Sequence, residues 1–136
     1  MSVPDRINIA AAGVRSRIKG RPGAEDFRRI CTEMNVMVPE PGWIPKLDVI
    51  AASLPVDGLA FRIEGRFCIL VKSLFIGGEF NVRTAFHELG HVLLGHLDEP
   101  GVHTLNRFIA ETDRFDQESE ANELEADRFA DLVLSD

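Results

Sequence analysis

The sequence predicts an α+β domain: a small antiparallel sheet packed against one strongly apolar helix, closed by an acidic helix near the C-terminus. Three observations predict it. Leu59, Phe61 and Ile63 alternate with Ala60 and Arg62, and after Glu64-Gly65 the apolar run of residues 67–71 follows, which reads as a β-hairpin. Residues 86–97 are dense in Leu and Val, with polar residues confined to a few positions, as in a helix buried in a core. Residues 118–130 are rich in Glu, yet Ala121, Leu124 and the run Phe129, Ala130, Leu132, Val133 give them a helical apolar stripe.

The remaining elements fit around these. Residues 1–23 form a basic arm or short helix, weakly helical from Ala10 to Arg17, holding five of the fifteen Lys and Arg. A solvated segment or a docking arm for an acidic partner both suit it. Residues 24–136 form a single domain. Acidic Glu25 and Asp26 open a helix in which Phe27, Ile30, Cys31 and Met34 repeat at i, i+3, i+4, i+7, ending near Asn35. Residues 36–38 are a short strand, and residues 39–45 a Pro/Gly loop whose Trp43 is expected to cap the core. Residues 46–53 follow as a short helix after Pro45. Gly77-Gly78 is a hinge, Asn81 or Thr84 caps the apolar helix, and Pro100-Gly101 ends it after Leu97.

A chain of 136 residues with 45% hydrophobic and 27% charged residues is one globular domain with a real core. Its net charge of −7 argues against direct nucleic-acid binding. Cys31 and Cys68 lack paired spacing and sit among apolar neighbours, so they read as buried free thiols in a reducing compartment. With no signal-peptide core and no membrane-spanning run, the expected location is cytoplasmic.

The apolar helix contains His87-Glu88-Leu89-Gly90-His91, an H-E-x-x-H arrangement. Positions i and i+4 share a helix face, so His87 and His91 direct both imidazoles at one ion, expected to be a single Zn²⁺. Glu88 lies one position round, placed as the base for a water that the ion acidifies. Only four histidines are present, and an apolar helix carrying two of them around a Glu buries polar groups that need partners.

A catalytic zinc takes three protein ligands. His96 lies about 140° round the helix from His91 and about 180° from His87, so it faces away while the helix stays regular. The extension H-E-x-x-H-x-x-G-x-x-H would need Gly and His where Leu94 and Leu97 stand, and is excluded. In the acidic segment, Glu123 and Asp127 share a face at i, i+4. Glu123 is the expected third ligand, and Asp127 the partner of a ligand histidine's far nitrogen, fixing its tautomer. Glu120 and Glu125 compete for the ligand role, but neither has an acid four residues on. An oxyanion donor besides the ion is also needed. The chain has no Tyr, so the role falls to His103, Arg107 or a backbone amide.

Residues 83–96, Arg-Thr-Ala-Phe-His-Glu-Leu-Gly-His-Val-Leu-Leu-Gly-His, resemble the zinc-helix signature of the ImmA/IrrE family of gluzincin metallopeptidases. Residues 123–130, Glu-Leu-Glu-Ala-Asp-Arg-Phe-Ala, resemble its E-x-E-A-[ND]-x-F-A segment, and the resemblance extends over about residues 24–134. It implies a compact zincin-like domain and a protease of helix-turn-helix repressors controlling stress, phage-defence or mobile-element genes, in some cases within toxin–antitoxin-like modules. Against the family pattern, these 136 residues are expected to hold no DNA-binding or sensory domain, and Leu132-Val133-Leu134-Ser135-Asp136 does not match the L-L-M-P-like continuation after the acidic helix. A repressor or antitoxin-like substrate is therefore expected to be encoded separately. The alternatives are a zinc-stabilised module that binds a regulator without cutting it, or an amidase acting on a small substrate.

Overall fold

The structure of the protein, a computed structural model, describes residues 1–53, 57–75, 77–98 and 120–135. In chain order its elements are α1 (Val3–Arg15), α2 (Ala24–Glu33), β1 (Val36–Met37), α3 (Pro45–Ser53), β2 (Gly58–Ile63), β3 (Arg66–Val71), α4 (Lys72–Phe75), α5 (Val82–Leu93) and α6 (Glu120–Leu134). This is the α+β arrangement expected. The sheet is antiparallel only between β2 and β3. β1 adds to β3 in parallel, giving the order β1-β3-β2, because α3 intervenes between β1 and the hairpin and reverses the chain.

The hairpin turns on Glu64 (φ 50°) and Gly65 (φ 78°), two left-handed residues between the paired Ile63 and Arg66. Two such residues match the right-handed twist of the flanking strands. Both faces of the sheet are covered, whereas alternation in β2 predicts one. Leu59, Phe61, Cys68 and Leu70 meet Leu47 and Ala51 of α3 and Phe75 of α4. Ala60, Ile69 and Val71 face the larger cluster built with α1, α2, α5 and α6. Ala60 is buried against the helices, so its short side chain does not mark an exposed face.

α5 is the central helix, with Ala85, Phe86, Glu88, Leu89, Gly90, His91 and Val92 all buried. Asn81 caps it, its Oδ1 accepting from Thr84 N–H at 3.1 Å. The Phe27 and Phe86 rings meet edge to face at 5.5 Å, fastening α2 to α5. The helix ends earlier than Leu97. Leu94 is its C-cap and Gly95 turns left-handed at φ 80°, as helix C-termini commonly do. Pro100 and Gly101, the stop expected from the sequence, lie outside the described residues.

α1 is longer and better packed than a basic arm suggests. Ser2 caps it, and Ile7, Ala11 and Val14 are buried at i, i+4, i+7, joining the core that includes α6. The Arg15 guanidinium donates to the carbonyls of Leu132 and Val133, both at 3.3 Å, and to Ser135 Oγ at 3.2 Å, where the last carbonyls of α6 lack helical partners. Trp43, expected over the core, is instead 58% exposed on its loop. Leu124, counted into the apolar stripe of α6, is exposed too. The buried stripe is Ala126, Phe129, Ala130 and Val133.

Cys31 and Cys68 are buried free thiols, and burial pushes both up to about 12. No helix among the described residues is long and apolar enough to cross a membrane.

Gly90 sets how close α6 comes to α5. A Cβ there would meet the Phe129 ring at 2.9 Å, so the glycine makes room for the aromatic anchor of α6. In Gly90→Ala, overpacking costs about 1–3 kcal/mol, while alanine's better helix propensity returns about 1 kcal/mol. The expected net loss of stability is small. Metal affinity is the more sensitive readout, because displacing α6 moves Glu123 and Asp127 relative to His87 and His91. Chelator competition alongside thermal melting checks this.

Candidate metal centre

Two helices far apart in sequence supply the site. α5 brings His87 and His91, one turn apart, and the packing of Phe129 against Gly90 holds α6 alongside. Glu123 Oε2 lies 2.8 Å from His87 Nε2, and Glu123 Oε1 lies 3.1 Å from His91 Nε2. The two Nε2 atoms are 3.2 Å apart. Among the described residues, His87, His91 and Glu123 thus form a group that can hold a metal ion, with ligand atoms within 4.8 Å of one another.

The donor set fits a small tetrahedral cation. Bonds of 2.0–2.1 Å to nitrogen and oxygen imply ligand–ligand edges of roughly 3.4 Å, slightly longer than the three separations here. The proton arrangement also fits. Asp127 Oδ1 lies 2.8 Å from His87 Nδ1. A carboxylate only accepts, so His87 donates Nδ1–H outward and turns its Nε2 lone pair inward. Asp127 is itself steadied by Arg83, 3.8 Å away, which also pairs with Asp131.

Glu88 is 9% exposed, on the side of α5 that meets β2. A Cβ on Gly58 would lie 2.6 Å from Thr84 Cγ2 and 3.0 Å from Glu88 Cγ, so the backbone at the start of β2 abuts the Glu88 side chain. β2 is also an edge of the sheet, its one paired neighbour among the described residues being β3.

The other candidates separate. Glu125 accepts from His96 Nε2 at 3.0 Å and is not part of the ligand group. Glu120, the first residue of α6, is exposed and outside that group as well. His103 and Arg107 lie outside the described residues. His96 departs furthest from expectation. It does not face away but returns to His91, its Nδ1 lying 2.9 Å from His91 Nδ1. An angle of about 140° holds only along a continuous helix, and α5 ends at its C-cap Leu94 with Gly95 left-handed before His96. The glycine one residue before His96 was the signal that could have found it.

Scans against protein-family models, curated proteins and solved structures found no match to the chain.

Proposed function

We propose that the protein is a zinc-dependent metalloendopeptidase that hydrolyses a peptide bond in a separately encoded helix-turn-helix repressor or antitoxin-like partner. The observation that carries this reading is the convergence of His87, His91 and Glu123 from two helices beside the buried Glu88. The resemblance of both helices to ImmA/IrrE motifs supports the substrate class. A bound Zn²⁺ would supply Lewis acidity, polarising a carbonyl and acidifying a water. His87, His91 and Glu123 would hold it, leaving one position of a tetrahedron for water or substrate. Glu88 takes the proton of the attacking water and delivers it to the leaving amine nitrogen as the C–N bond breaks. The edge of β2, with Gly58 against Glu88, suits an extended substrate added as a strand.

The test is to incubate the zinc-loaded protein with a candidate helix-turn-helix regulator and analyse the products by mass spectrometry. Two fragments sharing one new terminus, absent when chelator is present, are expected. An intact regulator that co-elutes with the protein would overturn the peptidase reading in favour of a binding module.

A further inference from the structure

We infer that His96 and Glu125 form a relay that positions His91, so that the metal site is held by two outer arms. The inference rests on the metal reading of the site. His87 is braced directly by Asp127 from α6. For His91, the outer nitrogen meets another imidazole, which can donate or accept. What sets its direction is the far end of the chain. Glu125 Oε1 lies 3.0 Å from His96 Nε2 and only accepts, so His96 carries its proton on Nε2. In a neutral ring this leaves His96 Nδ1 as an acceptor, and the 2.9 Å contact then requires His91 to carry its proton on Nδ1. His91 Nε2 is thereby left with its lone pair towards His87 Nε2 and Glu123. A carboxylate two bonds removed dictates which nitrogen of His91 is a ligand.

The turn after α5 is built to hold this arrangement. His96 N–H donates to the His91 carbonyl at 3.0 Å, bringing the two side chains together. Gly95 has φ 80°, a left-handed conformation that strains a residue carrying a Cβ, so the turn favours glycine. Leu97 is 1% exposed, and its carbonyl accepts from the Arg62 guanidinium of β2 at 3.1 Å. The His96 side chain is only 6% exposed and the His91 side chain 4%, so few waters compete for the bond between them. Glu123, Glu125 and Asp127 therefore do different work from one helix: one ligates and the other two each orient a ligand histidine.

The experiment loads the full chain with Co²⁺ and measures two quantities. Affinity by chelator competition is expected to fall about 10- to 100-fold in His96→Ala and in Glu125→Ala. It should recover in His96→Asn, whose side-chain oxygen can accept from His91 Nδ1. Paramagnetically shifted NMR spectra should show one exchangeable ring N–H for each ligating histidine in the wild type. In His96→Ala the His91 signal should shift and exchange faster, and in Glu125→Ala it should shift or broaden as the His96 tautomer is released, while the His87 signal, held on Asp127, is unchanged. If His96→Ala fails to fold, Glu125→Ala decides alone, since it leaves both rings in place. Unchanged affinity and an unchanged His91 signal would overturn the relay while leaving the metal site standing. A wild type that binds neither Co²⁺ nor Zn²⁺ would overturn the metal reading and the relay with it.

Discussion

Glu88→Gln is expected to keep its metal and its fold while losing peptide hydrolysis by at least about 10²- to 10⁴-fold, the contribution of a positioned general base. Gln has the shape of Glu but cannot take a proton from water or return it to the leaving amine. Glu88 is not in the ligand group, so the metal content should not fall. Gln matches Glu in size and shape, so the fold is expected to be retained. Metal analysis, thermal melting and product mass spectrometry on the same preparation check all three points. Gly58→Ala is the complementary probe. Its new methyl would drive into Thr84 and Glu88, and it should lower hydrolysis with metal retained. Full activity in Glu88→Gln would show that another group serves as the base.

Glu123→Ala is expected to lose more than the roughly 100-fold in metal affinity that removing an outer partner produces. It takes away one of the three groups that could hold the ion, and the one supplied by α6. Its side chain is 39% exposed, and alanine is a good helix former, so the metal-free protein should be as stable as the wild type. Metal-loaded wild type should gain stability over the metal-free form, and the variant should not. Glu120→Ala provides the control, because Glu120 is exposed at the start of α6 and outside the ligand group. Full metal content in Glu123→Ala would move the third ligand elsewhere on α6 or into the segment containing His103.

What was legible in the sequence is what local periodicity encodes. H-E-x-x-H places His87 and His91 on one face because any α-helix does so. The i, i+4 spacing of Glu123 and Asp127 marks them as a pair for the same reason, and Glu64-Gly65 announces the hairpin because few residue pairs accept two left-handed positions. The α+β class follows from counting these elements. Less legible was α1, where Ile7, Ala11 and Val14 repeat at helical spacing but are interleaved with basic residues that suggest a solvated arm.

The tertiary structure decided which carboxylates of α6 face which histidines. Glu120, Glu123 and Glu125 are chemically alike, and the burial of Ala126, Phe129, Ala130 and Val133, with Phe129 docked against Gly90, fixes the rotation of α6 that presents Glu123 to both Nε2 atoms and Glu125 to His96. It also decided the fate of His96. Sequence spacing gives an angle only while the helix continues, and one left-handed glycine converts a residue on the far side into a neighbour of His91. Both outcomes depend on contacts between segments distant in the chain, which periodicity along a single segment cannot encode.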